Sequence, residues 1–449
     1  MPPTPDSPLR HLLAQAGWSH AQLAAAVRAV AAENGQALAC DRSAVARWAH
    51  GTRPRPPVPQ YLLEALRRRL GRTVTAQEAG LSRAPETALD SSWDADPLRN
   101  LTRLAHSELA PHQEESPVAG TYRLTALAVP RWDQLEPRPR LSRRPSAPNA
   151  GRRAGRTEVE ALQTVTAFFA HAATRYGGGH ARTALLCYLA HDVTPWLHAP
   201  ATDSVHRQLL TAGAQLAILL GDMCADDSRD ALAQHYHRTA ARLAADADDP
   251  ATYAVALHAM STHAYELDHR PAALALSRQA ADAARHHAHP AILTYTQAQL
   301  AVTEAGTHHR SSALAALHTA EHLHSSTEPS ASMPFTTYPD AALDFQRART
   351  LNALGDHVGT LSALTSSLRT HPPDRHRARA LITAHLAEAQ LRQGHREAAL
   401  ANWERFLGDY PTLRSARATR RLTAMRQLLE PHVTHPAAAR LLHRATQLH

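Results

Sequence analysis

The sequence predicts an all-α protein: a small N-terminal helical bundle followed by a long array of helical repeats. Three observations carry this. Hydrophobic residues make up 44% of the 449 residues but aromatics only 5%, and Ala, Leu, Arg, Gln and Glu favour helix where the sparse Val, Ile, Tyr and Phe would favour strands. Apolar residues recur at helical spacing between capping and turn signals. Finally, similar helix-turn-helix units recur about every 40 residues over the second half.

The first helix is expected over Pro8–Ala16, with Leu9, Leu12 and Leu13 on one face and Gly17 ending it. Ser19-His-Ala-Gln22 is a capping box opening a second helix through Leu23, Val27 and Val30 to about Glu33, and Asn34-Gly35 is a turn. Asp41 is the next N-cap. The short helix behind it, Arg42 to His50 with Gly51 as its stop, places Val45 and Trp48 inward and Arg42, Ser43 and Arg47 outward. Arg and Ser in the first turns of a short helix are side chains that a major groove accepts, since Arg donates two hydrogen bonds to guanine. Thr52-Arg53-Pro-Arg55-Pro-Pro57 is a stiff basic loop suited to phosphate contact. A fourth helix from Pro59 carries Leu62, Leu63, Leu66 and Leu70 inside and Arg67–Arg69 outside, and Thr75-Ala-Gln-Glu78 opens a short fifth.

Trp18-Ser19-x-x-Gln22-Leu23-Ala24 and Ser43-Ala-Val-Ala-Arg47-Trp48-Ala-His-Gly51 resemble helix-turn-helix domains of the phage-repressor, or XRE, family. The continuation to Leu70 is similar to regulators of filamentous high-GC bacteria that carry a tetratricopeptide (TPR) tail. The resemblance implies that Gln22, Arg42, Ser43 and Arg47 face double-stranded DNA, and the stiff basic loop after them places Arg53 and Arg55 for phosphate contact. Gln22 and Ser43 are farther apart than in a compact repressor, so either the second helix is longer or the Gly35–Cys40 turn wider.

Residues 82–157 read as a Pro/Arg-rich linker, largely disordered, with eight Arg and two acids between 131 and 156. It is a flexible tether or a basic arm adding non-specific phosphate affinity. Residues 119–130 have room for one strand or an extended pairing segment.

From 158 to 449 the helices come in pairs. Around Gly394, small or bulky core residues fall at Ala387, Ala399, Trp403 and Phe406, with Pro411 as the stop. This looks like a TPR repeat, except that Phe406 stands where a small residue is usual. Equivalent turns centre on Gly355, His308 (with Ala301, Ala313 and Ala320) and Asp268 (with Ser261, Ala273 and Ala280), and a degenerate copy lies near Ser228. Ser325–Pro339 is an insertion, and two helices after Thr412 cap the array. Tyr176-Gly-Gly-Gly179 reads as a helix–helix joint in a first pair, because neither a preceding strand nor a Gly-Lys-Ser/Thr phosphate loop accompanies it.

All 48 basic residues are Arg, a composition that fits a GC-rich genome, and the net charge of +8 resides in residues 1–157. A basic small domain joined to a neutral large one points to a polyanion at one end. The odd, widely spaced Cys40, Cys187 and Cys224 suggest neither disulfides nor zinc and fit a reducing cytoplasm. No signal peptide and no run of about 18 apolar residues is present, so no membrane partner is expected. His235-x-His237, His286-His287 and His308-His309 lack metal-site spacing, Asp226-Asp227 and Asp246 to Asp249 read as solvated helix ends, and no catalytic fingerprint appears. Enzyme activity, metal and cofactor are therefore not expected. The expected protein is a homodimeric DNA-binding regulator whose repeat groove takes a peptide, small-molecule or protein effector. The competing reading is a repeat scaffold without sequence-specific DNA binding.

Overall fold

A computed structural model describes residues 7–72, 74, 76, 78–81, 92–109, 121–135, 153–286, 289–326 and 338–448, and they form an all-α solenoid with an N-terminal bundle. The bundle is α1 (Pro8–Ala16), α2 (His20–Glu33), α3 (Arg42–Ala49) and α4 (Val58–Leu70). Its boundaries follow the local chemistry. Gly17 adopts φ 62°, the left-handed conformation that closes α1. The Ser19–Gln22 capping box forms in both directions, and the Asp41 carboxylate accepts from the Ala44 N–H at 2.7 Å. Leu9, Leu12, Leu23, Val27, Val45, Leu62 and Leu66 fill one core. The wide Gln22–Ser43 spacing has two sources: α2 is 14 residues long, and residues 34–41 form the connection to α3.

Arg67 and Arg68 depart from the expectation of an outward face, and Arg69, though exposed, is tied back to the bundle. The Arg67 Nε donates to the Val74 carbonyl at 3.0 Å, the Arg68 side chain bridges Glu33 and Glu64 at 2.6 and 2.9 Å, and the Arg69 Nε donates to Ala16 O at 2.8 Å. They stitch the bundle together. Thr75 and part of the expected fifth helix lie outside the described residues, and 78–80 form a turn.

Within the expected linker, two segments are built into the fold, while 82–91, 110–120 and 136–152 lie outside the described residues. α5 (Pro97–Leu109) buries Leu98, Leu101 and Leu104 against the array. Residues 121–135 form an extended strap with two single 3-10 turns, Leu124–Leu127 and Trp132–Gln134. Its backbone alternates as a strand does, yet its partners are side chains rather than a neighbouring strand. The Tyr122 and Leu124 N–H groups donate to Asn34 Oδ1 (3.1 Å) and Glu64 Oε1 (3.1 Å) of the bundle. Between them, Arg123 exchanges two hydrogen bonds with the Gln234 amide of the array, at 2.8 and 2.7 Å. The basic stretch 136–152 lies outside the described residues.

The array begins with α6 (Arg156–Tyr176) and α7 (Gly178–Tyr188), which runs through a π-helical turn into α8 (Thr194–His198). Five helical hairpins follow: α9 (Asp203–Asp226) with α10 (Asp230–Asp246), α11 (Pro250–Glu266) with α12 (Arg270–Ala284), α13 (Pro290–Gly306) with α14 (Arg310–Ser325), α15 (Asp340–Ala353) with α16 (His357–Thr370), and α17 (His376–Arg392) with α18 (Arg396–Asp409). Each of the five hairpins turns on a residue of positive φ: Ser228 56°, Asp268 64°, His308 65°, Gly355 79° and Gly394 81°. These are the turn centres read from the sequence. The small register residues are fully buried where helices cross, including Ala301, Ala313, Ala320, Ala387 and Ala399 at 0% exposure. The degenerate first copy keeps the register with Gly221, Ala233 and Ala240, and Gly221 lets His237 pack against α9 where a Cβ would sit 2.2 Å from the ring. Most of the Ser325–Pro339 insertion is outside the described residues. α9 is long and apolar enough to cross a membrane, but 83% of its apolar window is buried in the fold, so it is the central core helix.

The last two helices, α19 (Ala416–Leu429) and α20 (Pro436–Thr446), do more than cover a free end. The array curls until its end meets its beginning. Asp226, expected as a solvated helix end, is 2% exposed and holds the junction. Its carboxylate accepts from Arg377 Nε and Nη2 (2.9 and 2.8 Å), Ser415 Oγ (2.7 Å) and the Gly178 N–H (2.8 Å). The triple glycine is the joint: a Cβ on Gly177 would lie 2.4 Å from the Arg414 carbonyl, and one on Gly178 would lie 2.6 Å from the Met223 carbonyl.

Candidate functional site

The first candidate site is the outer face of α3 and the loop after it. Arg42, Ser43 and Arg47 are exposed on α3, and Arg53 and Arg55 are exposed in the loop that leaves it. Gln22 is exposed at the start of α2, but its Oε1 is engaged by the Ser19 N–H at 2.8 Å. Arg42 shares a shallow cleft of about 510 Å³ with Arg10, Trp18 and Ser19–Ala21, so the N-termini of α2 and α3 open onto one surface. Helix N-termini present unpaired N–H groups and positive dipole ends, which favour phosphate.

The partners of the bundle's arginines separate this surface from the rest. Arg10 meets His50, Arg28 the Cys40 carbonyl, Arg72 Glu78, and Arg67–Arg69 the groups named above. The side chains of Arg42, Arg47, Arg53 and Arg55 make no hydrogen bond or ion pair among the described residues. Six guanidiniums hold the bundle together and four are left on one side of it.

The strap occupies the opposite end of α2, about 21 Å away at 1.5 Å per residue. There a row of rings leads inward. His269 lies 3.9 Å from Glu33 and stacks on Tyr122 (5.6 Å, 9°). Tyr122 packs edge-on against His263 (5.1 Å), and His263 against His237 (6.0 Å). The outer nitrogens are tied to carboxylates, His263 Nε2 to Asp230 at 2.8 Å and His237 Nε2 to Asp222 at 3.2 Å. Burial lowers the pKa of His237 and His269, outweighing these carboxylates, so both rings stay neutral near pH 7. Sequence reading missed this row; only the possible pairing segment at 119–130 hinted at it.

The second candidate site is a half-open cavity of about 580 Å³ in the curl of the array, between α11, α13, α15, α17 and α19. Seven arginines line it. Four are matched by carboxylates: Arg270 by Asp268 (2.7 Å), Arg377 by Asp226 (2.8 Å), Arg417 by Glu266 (2.8 Å) and Arg421 by Glu388 (3.0 Å). Arg349, Arg392 and Arg420 make no ion pair among the described residues; Arg349 donates to Gln346 Oε1 (2.9 Å) and Arg420 to Ser228 Oγ (3.2 Å). Burial, then the charges of Arg421, Arg349 and Arg392, push the His385 imidazole down to about 3. His258 is 4% exposed, also at about 3 through burial, and stacks on Tyr295. Neither nitrogen of His258 has a hydrogen-bond partner among the described residues, and the same holds for Thr262 Oγ1, Tyr338 Oη and His371 Nδ1.

No group of three His, Cys, Asp or Glu placed to hold a metal occurs among the described residues. His309 instead meets Glu304 at 2.8 Å, and His287 is outside the described residues.

Residues 9–82, which are the bundle and little else, match the family model of the SP15 N-terminal domain. No curated protein matches the chain. The class that fold and site define is thus a helical-repeat protein with a separate basic bundle at its N-terminus.

Proposed function

We propose that the protein is a DNA-binding transcriptional regulator of the XRE type with a TPR-like sensor array. One observation carries the reading: the bundle's only arginines whose side chains have no partners among the described residues, Arg42, Arg47, Arg53 and Arg55, lie on α3 and the loop that follows it. Arginines present through compositional drift would be scattered, and these are sorted. α3 enters the major groove, with Arg42, Ser43 and Arg47 toward base edges and Gln22 beside them. Arg53 and Arg55 bind phosphates, and the α2 and α3 N-termini add to this. The protein acts as a homodimer, because one bundle buries little surface and paired half-sites multiply affinity. An effector in the array cavity changes how the strap holds the two bundles.

The test is a titration of the full chain against its own promoter DNA at two salt concentrations with random DNA in competition. Selective binding that survives the higher salt supports the regulator. Weak binding that is equal for random DNA and vanishes with salt leaves a repeat scaffold. Arg47→Ala is expected to weaken selective binding by about 1–3 kcal/mol, roughly tenfold or more, and Arg53→Ala to weaken all sequences alike and flatten the salt slope by about one.

A further inference from the structure

The regulator reading leaves the effector open, and the cavity narrows it. A solenoid whose ends stay apart offers a long groove for an extended peptide. Here the Asp226 clasp brings the two ends together, so the concave face is a half-open pocket rather than a long groove. Its volume of about 580 Å³ is that of a site for one small molecule.

The lining has two halves. Arg349, Arg392 and Arg420 make no ion pair among the described residues, although Glu266 acts on Arg349 and Arg392 on Glu388 from farther away, and they stand beside four arginines with close carboxylates. Arginine forks bind phosphate bidentately, and seven arginines lining one cavity, four of them paired with carboxylates, favour a compact anion there. On the other side, His258, Tyr295, Tyr338 and Phe345 present flat faces and edges, with Tyr295 and Tyr338 rings 5.6 Å apart. Buried polar groups are as a rule hydrogen-bonded, and an unmade bond costs about 1–3 kcal/mol. The four orphaned groups on His258, Thr262, Tyr338 and His371 all line this pocket. A neutral imidazole offers one donor and one acceptor, as recognition of a heterocycle edge requires.

We propose that the pocket binds a small phosphorylated compound carrying a planar ring, of the size and charge of a nucleoside diphosphate, with its phosphates on Arg349, Arg392 and Arg420 and its ring beside His258, Tyr295 and Tyr338. This rests on the regulator reading only for its consequence, the change in DNA binding; the binding itself is independent of DNA.

The experiment is a fluorescence titration of the full chain, without DNA, using trinitrophenyl-ADP as probe and competing it with ADP, with pyrophosphate and with a glutamate-rich hexapeptide. One probe per chain is expected, displaced best by ADP. Arg392→Gln and Arg420→Gln lie at exposed positions that do not threaten folding, and each is expected to weaken the probe about tenfold; Tyr295→Leu weakens ADP but not pyrophosphate. Arg47→Ala leaves probe affinity unchanged. Absence of saturable binding, displacement by the hexapeptide but not ADP, or equal affinity of the Arg392→Gln and Arg420→Gln variants would overturn the proposal. Promoter binding measured on the same preparations separates the two readings. Probe binding without selective DNA binding removes the regulator alone, and selective DNA binding without probe binding removes this ligand alone.

Discussion

Single residues divide this chain into those that hold shape and those left facing outward. Asp226 belongs to the first group. Burial would raise its pKa, but Arg377 and Arg417 outweigh burial and hold the carboxyl below its usual range. Removing one partner of such a buried pair leaves charge uncompensated, so Asp226→Ala is expected to cost about 3–5 kcal/mol, read as a lowered thermal midpoint by circular dichroism. Arg377→Ala should cost a similar amount, and the double variant much less than the sum, because both act on one junction. Gly178→Ala probes the same junction without charge. Its Cβ would overlap the Met223 carbonyl, for a loss of about 1–3 kcal/mol. Nothing about Asp226-Asp227 in the sequence separates these two acids; three-dimensional proximity to Arg377, 151 positions away, makes one of them the clasp.

Among the elements, the strap carries the connection between bundle and array. The Tyr122 and Leu124 N–H groups bind the bundle while the Tyr122 ring and Arg123 bind the array, so a local change should uncouple the two without unfolding either. Replacing both Tyr122 and Gln234 by Ala is expected to split a single thermal transition into two and to raise amide exchange at the C-terminal end of α2. A transition that stays single and unshifted would show that the strap transmits nothing. The cap of α3 is a separate lever. Asp41→Ala removes one hydrogen bond to the first turn, worth about 1 kcal/mol, and exchange in Arg42–Ala49 should quicken while the array is unaffected. Caps and turns of this kind were readable from the chain, since they depend on neighbours three or four positions away. The partners of Arg67–Arg69 were not, because Ala16 and Glu33 come from other helices.

Over the whole molecule, buried histidines give stability a pH dependence. His258 has a folded pKa of about 3 against an ordinary 6.5. The folded state binds fewer protons than the unfolded one in that window, so this contribution is complete above pH 6.5 and is lost as pH falls toward 3. At pH 5 His258 alone amounts to about 2 kcal/mol. His235 and His385 have the same sign, and the depressed Asp226 and Asp222 add a further loss at more acid pH. Chemical denaturation at pH 7 and pH 5 should show a clear fall in midpoint. If stability were flat across this range, these imidazoles would be charging within the folded state.

The helical class, the hairpin register and the outward basic face are local properties, and the chain specifies them through spacing, caps and turns. The small residues at Ala301, Ala387 and Ala399 mark helix crossings because only small side chains let backbones approach, and the positive-φ turns fall on Ser228, Asp268, His308, Gly355 and Gly394. Tertiary structure alone decided three things: that the array closes, that residues 121–135 join bundle to array, and which arginines are left unmatched. Each depends on groups brought together from more than 100 positions apart, or on the presence or absence of a partner carboxylate, and the periodicity of a helix carries no record of either.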